Sequence, residues 1–291
     1  MKLIASDLDG TLLDEEGVVS EENIAAIQKA IDHGIRFVVA TGRSYDAAST
    51  PLKQAGITCP IISLNGAVAY TEDKKLIRTI PMDKSVAKQV LGACREADMY
   101  LEFFTSNGIY SVSKEYFLEV LVDIMKSANP NVAEADIRKK AELRFQAEPV
   151  QFIADYDEIF AVENLEIYKI LAFSLDKEKL KNVRTQLAGG AGMAITSSGD
   201  INLEFNHQDA QKGIALKHLA ESMGIGMADV MALGDNWNDA SMLQAAERGV
   251  AMGNASDEIK ALCSYTTKAN YDHGVADAIE EMLQERKNKR Q

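Results

Sequence analysis

The sequence predicts an α/β fold in which a parallel-sheet core carries an inserted α+β domain. Three observations predict it. Short apolar runs alternate with helical patterns at both ends of the chain, the grammar of βαβ units. The middle departs from that alternation and holds a hairpin signal, Asn107-Gly108, between two apolar runs. At 291 residues the chain is past the size at which one hydrophobic core keeps growing, so two domains are expected.

The elements follow in order. Leu3-Ile4-Ala5 reads as a buried strand that stops at Asp7-Leu8-Asp9-Gly10-Thr11. Ser20 is placed to cap a helix, with Glu21 and Glu22 in its first turn. Ile24, Ile27 and Ile31 recur at helical spacing, and Gly34 ends the helix. Residues 35–40 form an apolar run broken only by Arg36, stopping at Thr41-Gly42-Arg43, which opens the next helix. Residues 60–64 are a further short strand, stopping at Asn65-Gly66.

In the middle, helical patterns cover 84–97, 115–127, 133–144 and 177–187. Strand patterns cover 100–104, 109–112, 166–175 and 193–197. The junctions of the insert are expected near Pro81-Met82 and Gly199-Asp200. The C-terminal third returns to βα alternation: a helix over 212–223, a strand over 230–233 ending at Gly234-Asp235, a helix over 239–246 and a strand over 249–252. Then come a helix after Ser256, a short strand over 265–267 and a helix from Gly274 whose charged tail frays.

Composition bounds the function. Hydrophobic residues make up 46% and charged residues 26%, ordinary for a globular protein. A formal net charge of −13 argues against nucleic acid or an anionic membrane as the main partner. No apolar stretch approaches a membrane span, and no signal segment is read at the start. Cys59, Cys94 and Cys263 are scattered, odd in number and without a CxxC pair, so they read as reduced thiols. The expected location is cytoplasmic. His33, His207, His218 and His273 share no metal-ligand spacing.

The chemistry gathers at strand ends. Asp7 with Asp9, Thr41, Asn65, and Asp235 with Asp239 each follow an apolar run. In open parallel sheets, ligands bind outside those ends. Residues i and i+2 of an extended chain point to one side, roughly 7 Å apart. One acid of the Asp7/Asp9 pair is then placed to attack while its neighbour serves the leaving group; the alternative is a plain Asp-Gly turn after a strand. Clustered carboxylates repel, so a hard cation such as Mg2+ is expected among them. Thr41-Gly42-Arg43 offers a hydroxyl, a flexible backbone and a cation to a phosphate. Lys212 stands at a helix start, where the dipole disfavours it, which implies that its charge is wanted there. These parts assemble into phosphoryl transfer.

Taken in order, these segments resemble the haloacid dehalogenase superfamily of phosphatases, and within it the Cof-type branch with a large α/β cap. Asp7-Leu8-Asp9-Gly10-Thr11-Leu12, Thr41-Gly42-Arg43, Asn65-Gly66-Ala67, Lys212-Gly213 and Gly234-Asp235-Asn236-Trp237-Asn238-Asp239 carry the resemblance, which spans essentially the whole chain. It implies a Rossmann-like catalytic core, residues 1–82 and 200–291, with an α+β cap, residues 83–199, that sets specificity. It also implies roles. Asp7 is the nucleophile and Asp9 the general acid/base. Asp7, Asp9 through its main-chain carbonyl, and Asp235 bind Mg2+. Asp239 orients Lys212 or a metal-bound water. Thr41 and Lys212 hold the phosphoryl group, Gly42 and Arg43 line its cradle, and Asn238 lies near it. Residues 206–211 depart from the usual Pro/Gly-containing approach to the lysine.

The expected activity is hydrolysis of small phosphomonoesters, sugar phosphates or related metabolites. A sugar phosphomutase and a non-catalytic phospholigand sensor are the alternatives. The partner is a small phosphorylated molecule, and the sequence indicates no protein partner. Among insert aromatics, Tyr100, Phe103, Phe104, Tyr110 and Tyr168 are candidates to face substrate or to fill the core.

Overall fold

The structure, a computed structural model, describes residues 1–115, 118–119, 122, 133–135, 137–139, 142, 148–197 and 201–288. It comprises two compact units: Met1–Thr79 with Ala210–Gln291, and Ile80–Asp209. Strands are numbered along the chain. β1 (Leu3–Ser6), β2 (Arg36–Ala40), β3 (Ile61–Ser63), β4 (Val68–Tyr70) and β5 (Leu76–Thr79) precede the insert. Within it lie β6 (Tyr100–Thr105), β7 (Gly108–Ser111), β8 (Val150–Phe152), β9 (Ile167–Phe173), β10 (Met193–Thr196) and β11 (Asn202–His207). β12 (Val230–Gly234), β13 (Arg248–Ala251) and β14 (Tyr265–Thr266) follow.

The described strands of the first unit form one sheet in the order β14-β13-β12-β1-β2-β3-β4-β5. It is parallel from β14 to β3, and β4 and β5 extend it antiparallel. The central register sets Leu3 beside Val230 on one side and Arg36 on the other. Both faces are covered, which is why these strands read as continuous apolar runs. Ile4, Phe37, Val39, Met231 and Leu233 pack toward Ala26, Ile27 and Ala30 of helix Glu21–Asp32 and Ile279, Met282 and Leu283 of helix Gly274–Asn288. Leu3, Ala5, Val38, Val230 and Ala232 face the opposite way, toward Leu216 and Leu219 of helix Lys212–Ser222 and Met242 of helix Ala240–Ala245. Each fully buried aliphatic side chain of this kind contributes roughly 1.5–3 kcal/mol before chain entropy is counted.

Local signals explain the helix starts. Ser20, Ser44 and Ser256 each accept a hydrogen bond from the amide three residues on, as N-caps do. Ser44 corrects one expectation: helix Tyr45–Gln54 begins after it, so Thr41-Gly42-Arg43 is the preceding loop and not the helix start.

In the second unit the described strands run β10-β11-β9-β6-β7-β8, antiparallel except for the β7/β8 pair. One sheet face packs against helices Lys84–Glu96, Asp157–Ala161 and Lys177–Leu187 through Leu101, Phe103, Ile170, Ala172, Leu203 and Phe205. The second junction therefore falls at 209/210 and not near Gly199-Asp200. The reason is β11, which pairs with both β9 and β10 and buries Leu203 and Phe205 in this unit's core. Phe103 and Tyr110 belong to that core; the Phe103 ring lies 5.3 Å from Tyr156 and 6.2 Å from Phe160. Tyr100 and Phe104 alternate to the other face, where Tyr100 donates to buried Glu102 and the Lys169 ammonium lies 4.4 Å from the Phe104 ring. Most of the helical pattern over 115–127, and residues 199–200, lie outside the described residues; within 133–144 the described residues 134, 135, 137–139 and 142 are helical, as expected.

Candidate active site

The first unit brings the separated motifs to one end of its sheet. Asp7 follows β1, Thr41 follows β2, Asn65 lies just past β3, and Asp235 follows β12. The Asp7 amide donates to the Leu233 carbonyl at 2.9 Å, carrying the β1/β12 ladder up to the acid itself. Beyond it the chain coils through Leu8–Leu12, with Asp9 extended and Gly10 left-handed at φ 73°. A side chain at Gly10 would put its Cβ 2.6 Å from an Asp235 oxygen. The glycine thus supplies both the turn and the room for Asp235.

Lys212 is the centre of the arrangement. It is fully buried, and its Nζ donates to Asp7 Oδ1 at 2.7 Å and to Asp239 Oδ1 at 2.6 Å. This resolves its misfit at the first position of helix Lys212–Ser222: the two carboxylates outweigh the dipole. Gly213 lets that helix approach closely, since a Cβ there would lie 2.2 Å from the Ser241 carbonyl oxygen. Asp239 is committed on both sides. Its Oδ2 accepts from the amides of Asp235 and Asn236, each at 3.0 Å. Asp235 Oδ1 accepts from the Thr11 hydroxyl at 2.9 Å.

The remaining residues close the ring. Arg43 forks onto Asp9, Nε to Oδ2 at 2.8 Å and a terminal nitrogen to Oδ1 at 2.5 Å. The Arg43 amide donates to the Thr41 hydroxyl oxygen at 3.1 Å, and the Asn65 amide donates to the Thr41 carbonyl at 3.0 Å. Asn238 donates to Asn65 Oδ1 at 3.3 Å. Its own Oδ1 is buried and has no partner among the described residues. All nine expected site residues, Asp7, Asp9, Thr41, Gly42, Arg43, Lys212, Asp235, Asn238 and Asp239, thus belong to this one constellation, Gly42 by its place between Thr41 and Arg43. The reading of Arg43 changes, because it sits on Asp9 here. Thr11 and Asn65 are additional polar members. The histidines stay outside; His273, for example, lies 3.4 Å from Glu22.

One carboxylate oxygen each of Asp7, Asp235 and Asp239 lie within 4.8 Å of one another. Burial, and then the Asp239 charge, raise the Asp7 carboxyl well above its usual range against the pull of Lys212. Burial and Asp239 likewise push Asp235 up to about 6. Burial works against the Lys212 charge, but Asp239 and Asp7 hold it as an ammonium. Four carboxylates thus face two cationic side chains. An all-oxygen, electron-rich cluster of this kind suits a hard divalent cation.

A pH prediction follows. The folded protein holds the Asp235 proton up to about pH 6, against 3.8 for an ordinary aspartate. Stability from this group is therefore full below about pH 4 and is lost as pH rises through 6. In EDTA, Asp235→Asn is expected to gain on the wild type by on the order of 3 kcal/mol between pH 4 and pH 7. Urea unfolding at the two pH values measures it; parallel curves for the two proteins would refute it.

Comparison with known proteins agrees with the geometry. The family of haloacid dehalogenase-like hydrolases matches residues 4–279. Phosphatase YwpJ of Bacillus subtilis is 37% identical over 285 residues, covering 97% of this chain and 100% of that protein. The 5-amino-6-(5-phospho-D-ribitylamino)uracil phosphatase YwtE of the same organism is 38% identical, covering 97% of this chain and 98% of its own. The structure of a haloacid dehalogenase-like hydrolase from B. subtilis superposes with a TM-score of 0.87 at 37% identity, covering 96% of this chain and 99% of that one. With a match that runs through every strand of the core and both acidic motifs, the chain belongs to the haloacid dehalogenase-like hydrolase family.

Proposed function

We propose that the chain is a Mg2+-dependent phosphatase of small phosphomonoesters, sugar phosphates or related phosphorylated metabolites, working through an aspartyl-phosphate on Asp7. The observation that carries this reading is the buried Lys212 ammonium bridging Asp7 and Asp239, two residues from a second acid in an arginine fork. The Asp7 carboxylate attacks phosphorus in line as the ester P–O bond breaks. Asp9 gives a proton to the departing oxygen and then takes one from the water that cleaves the acyl phosphate. Lys212 and Thr41 hold phosphoryl oxygens, the Gly42 loop and Asn238 complete the cradle, and Asp239 keeps Lys212 in place. The Arg43 fork engages both Asp9 oxygens, so it opens before Asp9 acts, and an anionic substrate is its natural competitor. Asp7, Asp235 and the Asp9 main-chain carbonyl would hold the cation, which when bound neutralises the nucleophile and the phosphoryl oxygens.

The names of the two B. subtilis relatives support a phosphatase, and the second puts a phosphorylated polyol joined to a heterocycle among the substrates to try. The test is phosphate release from a panel of phosphorylated metabolites with Mg2+, with Mn2+ and with EDTA. Metal-dependent release that Asp7→Asn lacks is the expected result. Transfer between sugar positions only with a bisphosphate activator would turn the reading to a phosphomutase. Tight binding without turnover would turn it to a sensor.

A further inference from the structure

Three asparagines outside the recognised motifs grip the turn that carries the acids. Asn254 Nδ2 donates to the Gly10 carbonyl at 2.8 Å. Asn23 Nδ2 donates to the Leu12 carbonyl at 3.3 Å, and Asn270 Nδ2 to the Leu13 carbonyl at 2.8 Å. Two of the three side-chain amides are themselves anchored. Asn254 Oδ1 accepts from the Asn270 main-chain amide at 3.0 Å, and Asn23 Oδ1 from the Ala276 amide at 2.9 Å. The turn needs such donors, because its irregular backbone breaks the usual helical pairing.

The three are not equivalent. Asn23 and Asn270 are buried and hold the far end of the turn, so their loss is a folding defect. Asn254 is exposed and holds the Gly10 carbonyl, in the peptide unit next after the one that carries the Asp9 carbonyl. Gly10 also walls one side of the Asp235 carboxylate. A shift of Gly10 therefore moves the Asp9 carbonyl and the seat of Asp235 together. We propose that Asn254 is a positioning residue of the site, fixing through the Gly10 carbonyl the geometry in which Asp9 and Asp235 meet a divalent cation. The proposal rests on the phosphatase reading for its role in turnover, but not for its role in cation binding.

The test compares wild type, Asn254→Ala and Asn254→Asp. Asn254→Ala removes the donor. Asn254→Asp keeps the acceptor for the Asn270 amide but sets a carboxylate oxygen against the Gly10 carbonyl. Calorimetric titration with Mn2+ alone, in the full chain, is expected to show a Kd raised about 10-fold in Asn254→Ala and further in Asn254→Asp, a size usual for groups that orient metal ligands. Melting temperatures are expected to stay within a few degrees of wild type, and kcat to fall with little change in KM. Kd values within twofold of wild type in both variants would overturn the proposal, as would a wild type that binds no Mn2+. Phosphate release is scored separately: a wild type that binds Mn2+ yet releases none sinks the phosphatase reading and leaves the Kd comparison to decide the role of Asn254.

Discussion

Asp7→Asn is expected to lower phosphate release by at least about 10^4-fold, because an amide has no anionic oxygen with which to form the acyl phosphate. The structure adds an expectation about stability. The Asp7 carboxyl is buried beside Asp239 and Asp235, and its proton is held well above the usual range. The fold thus favours the uncharged form, and a neutral amide of the same shape suits that environment. Lys212 keeps Asp239 as a partner, and the amide oxygen can still accept from it. In EDTA the variant is expected to melt at or above the wild-type temperature. With Mg2+ the order is expected to reverse, because the variant has lost a carboxylate from the cation cluster. Turnover near wild-type rates would rule out covalent catalysis by Asp7. A variant that melts far below wild type in EDTA would show that the charge pair with Lys212 outweighs the burial of Asp7.

Much of this site can be read along the chain because of one physical rule. A strand buried on both faces is apolar throughout, so a polar residue marks its end, and parallel strands end on the same side. That is why Asp7, Thr41, Asn65 and Asp235 converge although they span most of the sequence. The same rule fails where a strand is polar on one face. Asn202-Leu203-Glu204-Phe205-Asn206-His207 alternates at period 2 and is the strand β11, but the Gly199-Asp200 signal before it reads as a domain boundary. β4 and β5 escape for a different reason: β4 is three residues long, and β5 is an edge strand with Leu76 and Ile77 exposed. The asparagine grip on the turn leaves no pattern at all. A side-chain amide reaching a distant carbonyl has no period and no fixed spacing, as Asn254 and Gly10 show across 244 residues. The Arg43 fork is hidden likewise, since a lone arginine after a strand fits a phosphate or a carboxylate equally well.

Lys212→Met is expected to be the most destabilising of the substitutions considered, at about 3–5 kcal/mol in EDTA at neutral pH, the usual cost of removing one partner from a buried ion pair. The side chain is wholly enclosed, so methionine fills its volume and the loss is electrostatic. What remains is Asp7, Asp235 and Asp239 with oxygens inside 4.8 Å and no ammonium among them. Two remedies are open to such a cluster. It can take up protons, so the deficit is expected to shrink as pH falls from 7 toward 5, where Asp235, already lifted to about 6, is protonated. It can also take up a cation, so Mg2+ or Mn2+ is expected to raise the melting temperature of the variant more than that of the wild type. Thermal melts at pH 5 and pH 7, with and without Mg2+, measure both. A deficit indifferent to pH and to cation would mean that packing, and not charge, sets the cost. Activity is not expected to return with stability, because the cation cannot replace an ammonium that touches Asp7 at 2.7 Å. A stable, cation-loaded and inactive Lys212→Met protein would therefore separate the two tasks proposed for this lysine, neutralising the buried acids and acting on the phosphoryl group.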